Sequence, residues 1–201
     1  FKKSTLEVLR GPLENKYVTI SRANMAVTYP SNFILIASMN PCPCGYYGTD
    51  DDKCHCSETA ISNYMGKLSG PLLDRIDLHI EVKSVEYEKI SSEEKGETSK
   101  EIKKRVDKAR KIQLERYKNL NIYSNGELTP KLIEKYCKID ETSKELLRKA
   151  FEKLGLSGRA YSRILKVART IADLDGEDEI RKSHIAEAIQ YRSLDRKYWK
   201  R

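Results

Sequence analysis

Five cysteines occur in this chain of 201 residues, and four of them fall in two tight pairs. Cys42-x-Cys44 and Cys54-x-Cys56 flank a nine-residue stretch that holds Gly45, Gly48 and three aspartates. Four thiolates suffice for a tetrahedral zinc site, since zinc imposes no geometry of its own and binds sulfur well. The one-residue gap within each pair is tighter than the spacing usual in such sites. His55 could substitute for one of the cysteines. A closed set of four ligands leaves no position open to a substrate, so the role expected is structural. Reduced free thiols and an oxidised pair are the other readings of the same spacing. In a reducing compartment, clustered cysteines point to metal more than to disulfides. Cys137 stands alone on an apolar helix face and reads as core.

Three further polar side chains, Asn40, Arg75 and Arg159, are candidates for chemistry. Asn40 closes the apolar run Phe33-Ile34-Leu35-Ile36-Ala37 just before Pro41. Such a run reads as a strand buried on both faces of a parallel sheet. The C-terminal end of that kind of strand is where open α/β sheets hold ligands. A plainer reading is an Asn that caps the turn before Pro41. Arg75 lies in Leu72-Leu73-Asp74-Arg75-Ile76-Asp77, a helix-like stretch entering a second apolar strand, Leu78 to Val82. Its plain reading is an ion pair with Asp74 or Asp77, both of which read as structural. Arg159 follows Ser157 at a helix N-terminus, where free N–H groups and the helix dipole favour an anion. Arg163 and Lys166 extend that basic stripe and read as a solvated face.

The elements that must position these residues follow from periodicity and caps. Leu6, Leu9 and Leu13 recur at helical spacing, with a break at Gly11-Pro12. Tyr17–Arg22 and Met25–Tyr29 read as a hairpin joined at Ala23-Asn24. Lys83 to Thr98 is polar and holds Gly96, so the domain boundary is expected there. Thr98 and Glu101 form a capping box for a helix with the apolar stripe Ile102, Val106, Ala109 and Ile112. Asn119 to Gly126 reads as a loop. Four shorter helices are then expected. They start at Thr129-Pro130, Asp140, Ser157 and Ser183, and Gly155 and Gly176 act as stops. The third carries Ala160, Ile164, Val167, Ala168, Ile171 and Leu174 on one face. The half before Thr98 thus reads as α/β and the half after it as all-α.

Charged residues make up 34% of the chain and hydrophobic ones 39%, which suits a folded globular protein rather than a disordered one. The net charge of +8 favours acidic partners such as nucleic acid, although a modest excess is ordinary for a surface. No apolar run approaches the length of a membrane span, and no signal-peptide pattern opens the chain. A cytoplasmic location is the expectation. The pattern G-x-x-x-x-G-K-[ST] does not occur in the sequence.

The segments SMNPCPCGYYG (38–48), KCHC (53–56), LSGPLLDRIDLHIEV (68–82) and LSGRAYSRILKVARTIADL (156–174) resemble the magnesium-chelatase-like AAA+ ATPases of the ComM/YifB type. The resemblance covers nearly the whole chain. It implies the C-terminal part of an AAA+ P-loop ATPase core over residues 1–97, with a Cys-rich insertion. A helical lid domain would follow over 98–201. The family's phosphate-binding loop and Asp-Glu acidic motif would then lie upstream of Phe1. The resemblance makes Asn40 the sensor-1 residue, which orients the attacking water and the γ-phosphate. It makes Arg75 an arginine finger supplied to a neighbouring subunit's ATP, and Arg159 the sensor-2 residue of the lid. ATP and Mg2+ are implied for the full-length parent, as are a ring, most simply a hexamer, and DNA as the substrate of branch migration in recombination or transformation. The fragment alone is expected to be inactive. Two other readings are a magnesium-chelatase motor subunit, which the cysteines argue against, and a zinc-stabilised DNA-binding module with a degenerate ATPase remnant.

Overall fold

The computed structural model describes residues 1–23, 25–48, 53–82, 85, 91 and 96–192. The chain divides after Ile76 into two units. The boundary expected between Lys83 and Thr98 falls largely outside the described residues.

The first unit opens with two short helices, α1 (Lys3–Val8) and α2 (Arg10–Asn15), with Leu9 between them. The break therefore comes two residues before Gly11-Pro12, which lie in the first turn of α2, where the missing N–H of proline costs nothing. Strands β1 (Tyr17–Arg22) and β2 (Met25–Pro30) pair antiparallel, with Tyr17 opposite Pro30 and Arg22 opposite Met25. The turn expected at Ala23-Asn24 falls partly outside the described residues, since Asn24 is not among them. The hydroxyls of Thr19 and Thr28 meet across the pair at 2.9 Å. Two helices follow the cysteine loop: α3 (Glu58–Met65), capped by Ser57, and α4 (Gly70–Leu73), capped by Ser69. Ser69 and Arg10 also bond the Glu7 carboxylate, holding it below the usual carboxylate range and fastening α1 to the start of α4. Met65, Leu72, Leu73 and Cys42 form the buried apolar residues of this unit.

Two expectations fail here. Phe33–Ala37 is not a strand, and Ile34 and Ile36 are 90% and 91% exposed. Leu78–Val82 is not a strand either, and Val82 is 87% exposed. The reason is the same for both. A strand exists by its ladder partners, and the only sheet among the described residues is the two-stranded hairpin. The parallel sheet expected for the first half is thus absent from the described residues. Helix α3 was not foreseen from the sequence; its signal is Ser57, whose hydroxyl accepts from the Ala60 N–H at 3.2 Å.

The second unit is helical: α5 (Ser99–Arg116), a 3-10 turn (Asn125–Glu127), α6 (Pro130–Tyr136), α7 (Glu141–Leu154), α8 (Gly158–Asp175) and α9 (Lys182–Gln190). The Thr98–Glu101 capping box is formed, with the Thr98 N–H donating to the Glu101 carboxylate at 2.9 Å. Asp140 caps α7 at 2.8 Å from the Ser143 N–H, and Gly155 and Gly176 end α7 and α8 with positive φ of 56° and 77°. Thr129 makes no side-chain cap bond. Ser183 is not a cap either. Helix α9 begins a residue earlier, and the Arg181 N–H donates to His184 Nδ1 at 3.0 Å. This leaves the proton on His184 Nε2, which faces Asp175 at 3.1 Å.

Helix α8 lies at the centre of the core. Ile164, Leu165, Ala168, Ile171 and Ala172 bury against Tyr117, Leu128, Ile133, Cys137, Leu147, Ile180, Ile185 and Ala188. Leu174, expected inside, is 40% exposed, while Leu165 and Ala172 take its share of the buried face. Ile102 and Val106, at the start of the expected α5 stripe, are 44% and 45% exposed; burial begins at Ala109. Burial also raises the Cys137 thiol to about 11, so this cysteine is an inert core residue.

A polar network runs through this apolar core. Asp173 is fully buried, and both its oxygens take hydrogen bonds from Arg116, on α5. Arg169 Nε donates to it at 3.2 Å and Asn125 Nδ2 at 2.8 Å. Asn125 also accepts from the Tyr117 hydroxyl at 2.7 Å. Arg169 reaches on to the carbonyls of Glu177 and Asp178, each at 2.6 Å, closing the C-terminal end of α8. Removing the carboxylate would strand two guanidinium groups, so Asp173→Ala should cost about 3–5 kcal/mol in urea unfolding. Removing the exposed Arg105 that pairs with Glu97 should cost less than about 1 kcal/mol. Equal losses for the two variants would disprove the network's role.

Candidate metal centre

Residues 40–45 read Asn-Pro-Cys-Pro-Cys-Gly, and this order makes a turn. The Gly45 N–H donates to the Cys42 carbonyl at 3.1 Å. Pro43 therefore sits at the second position of the turn, where its fixed φ fits, and Gly45 at the fourth. Gly45 has φ +88°, a conformation that a side chain would strain. The turn brings Cys42 and Cys44 to one side, with their sulfurs 3.2 Å apart.

The second pair comes to the same place. Cys54 Sγ lies 3.7 Å from that of Cys42 and 3.6 Å from that of Cys44. All four sulfurs, Cys56 included, lie within 4.8 Å of one another. Four sulfurs each about 2.3 Å from a tetrahedral zinc stand about 3.8 Å apart, so the cluster has the right size. His55 is exposed and is not among the gathered ligands. The cysteines are all free rather than disulfide-bonded.

The electrostatics of the thiols fit a cation. Burial pushes Cys42 up, but hydrogen bonds from the Cys44 thiol, the Tyr47 and Gly45 backbones and Cys54 bring it down to about 6. Cys54 moves the other way. The Cys56 N–H would favour its thiolate, yet burial and the neighbouring Cys44 and Cys42 sulfurs drive it up to about 12. Cys56 is likewise raised: the Cys44 N–H favours its thiolate, but Cys44, burial and Cys42 outweigh that bond. One thiolate forms readily, and its charge opposes the next. A divalent cation at the centre would remove that opposition.

The other expected site residues are placed as follows. Asn40 is exposed at the base of the turn, its amide 3.5 Å from where a Gly45 side chain would begin. Arg75 is buried and follows α4; its guanidinium pairs with Glu14 of α2 and donates to the Pro71 carbonyl at 2.6 Å. Neither Asp74 nor Asp77 takes it, contrary to the plain reading. Asp77 instead pairs with Arg163. Glu14 carried no sequence signal, because its partner lies 61 positions away. Arg159 is exposed in the first turn of α8, whose cap Ser157 accepts from the Ala160 N–H at 3.2 Å. Lys166 donates to the Gly126 carbonyl at 3.0 Å, so it is fastened to the 3-10 turn rather than simply solvated.

A family model described as magnesium chelatase, subunit ChlI, matches residues 1–90, and one described as its C-terminal part matches residues 96–192. The competence protein ComM of Haemophilus influenzae is 46% identical over 98% of the chain. The uncharacterized proteins YifB of Salmonella typhimurium and Escherichia coli are 41% and 40% identical over the same share. The chain spans 38% of the length of each of these relatives.

The cluster predicts about one zinc per chain by metal analysis, and Cys42→Ser should bring that to near zero. Protons compete for all four thiolates, so zinc should be held progressively more weakly as pH falls. A chromophoric chelator followed between pH 7.5 and 5 would read this release. Zinc content unchanged in the variant would rule the site out.

Proposed function

Because the chain belongs to the magnesium-chelatase-like family together with the ComM and YifB proteins, we propose that it is the sensing and lid-bearing part of an AAA+ ATPase acting on DNA. The observation that carries this reading is the succession of two magnesium-chelatase family matches in order along one chain, joined by 46% identity to a competence protein. The family's domains imply an AAA+-like fold. In the proposed architecture, residues 1–97 are the end of the ATPase core and 98–201 the helical lid, and the full-length protein forms a ring, most simply a hexamer. Competence suggests recombination or transformation, with branch migration as the motor's work.

Each residue has a defined task in this reading. The neutral Asn40 amide orients the attacking water and the γ-phosphate without adding negative charge beside them. The Arg75 guanidinium, with several donors and delocalised charge, offsets the charge of the transition state in the neighbouring subunit's site. To do so it must exchange its contact with Glu14 for one across the ring. Arg159 reads the γ-phosphate from the lid, aided by the N-terminus of α8. Cys42, Cys44, Cys54 and Cys56 would hold a zinc ion, which would brace the turn that carries Asn40. The sequence has no G-x-x-x-x-G-K-[ST] loop, so these residues offer no such cradle for Mg2+ and the phosphates.

Two measurements test the reading. A labelled ATP analogue should show no micromolar binding to the 201-residue chain. In a protein of the relatives' full length, Arg75→Ala should lower ATP turnover by about 1,000-fold or more. Mixing it with Asn40→Ala subunits should restore part of that turnover, because one defect acts in cis and the other in trans. Glu14→Gln should leave turnover within a few-fold. Equal losses for Glu14→Gln and Arg75→Ala would mean that Arg75 serves only the α2–α4 contact.

A further inference from the structure

Helix α5 carries basic residues at 8 of its 18 positions, and four of them align. Lys100, Lys104, Lys108 and Lys111 follow i, i+4, i+8 and i+11. At about 100° per residue they fall within about 80° of arc. Ala109 and Gln113, the buried residues of α5, lie on the opposite side. All four lysines are exposed, and among the described residues none makes an ion pair. Other cations of α5 are engaged: Lys103 with Asp107, Arg105 with Glu97, and Arg116 with Asp173. Two acids of α5 beside the row are engaged too, while Asp178 lies near Lys111. Glu101 is held by Thr98 in the capping box, and Glu115 pairs with Lys118. Lys108 leans toward the C-terminal cap of α8, its ammonium 3.3 Å from where a Gly176 side chain would begin. This contact favours positive charge at a helix C-terminus and restrains one member of the row.

We propose that this row is a docking surface for the phosphate backbone of duplex DNA. Its length is about 16 Å, about the axial rise of five base pairs of duplex. Helix α5, anchored in the core from Ala109 onward, presents the row as a line of positive charge, and ammonium groups that neutralise phosphates release the counterions condensed on the duplex. The surface reads no sequence, since lysines reach phosphate oxygens rather than base edges. The choice of DNA over other polyanions rests on the DNA-acting reading above; the row itself stands on charge and geometry.

Binding of the full chain to a fluorescent duplex is followed by anisotropy over a salt series. With four phosphates neutralised, the log–log salt slope should be about −3.6. Replacing Lys100, Lys104, Lys108 and Lys111 together by Gln should weaken binding by about 10-fold or more at low salt and flatten the slope by most of that amount. A control with Lys131, Lys135, Lys138 and Lys153 replaced by Gln loses the same charge and should retain the slope. Circular dichroism melting of both variants checks that each is folded. No binding by the unchanged chain would overturn the proposal, and so would equal losses in the two variants. In that second case DNA binding would persist, and the DNA-acting reading would survive. Vesicles containing phosphatidylserine provide the other arm: row-dependent binding to them with none to duplex would also overturn it.

Discussion

The buried carboxylate of Asp173 is the constraint on which the second unit depends. Arg116 reaches it from α5, Arg169 from within α8, and Asn125 from the turn between α5 and α6. A buried charge is tolerated only when its partners are in place, so these elements can assemble in only a narrow set of arrangements. Apolar packing around Ile164, Leu165 and Ala168 supplies the driving force but is not directional. The network adds the direction. It also fixes the end of α8 through Arg169 and the carbonyls that follow Gly176.

The first unit is organised differently. It buries few apolar side chains, its hairpin is exposed along nearly its whole length, and the apolar segment Phe33–Ala37 lies open. A two-stranded sheet of this kind is marginal by itself. What meets here is the sulfur of Cys42, Cys44, Cys54 and Cys56. The thiols oppose each other's ionisation, and a metal would convert that opposition into four bonds. Asn40 stands at the foot of this arrangement, against Gly45. The order of the cysteine turn and the position of the Asn40 amide are therefore one structural question.

Arg75 shows how one side chain can belong to two descriptions. Within the unit it is a buried cation held by Glu14 and a backbone carbonyl, which ties α2 to the end of α4. In the proposed ring it is a donor to a neighbouring site. The two are compatible only if the Glu14 contact is exchangeable, and Glu14 is the more exposed of the pair, at 44% against 7%. The partly solvated carboxylate has water to replace its partner.

Local signals placed the helices of the second unit, although the caps expected at Thr129 and Ser183 are not made. The Thr98–Glu101 box, the Asp140 and Ser157 caps and the glycine stops at 155 and 176 each act within a few residues, so they are legible in order along the chain. The family resemblance was equally legible, since it rests on residue order. What only the tertiary structure decided are contacts between distant positions: Arg116 with Asp173, Arg75 with Glu14, and the convergence of Cys42 and Cys54. Phe33–Ala37 and Leu78–Val82 belong to this second class. Apolar, β-branched residues make a segment fit to be a strand, but a strand comes into being only when a neighbour accepts its hydrogen bonds, and no pattern within the segment can say whether one does.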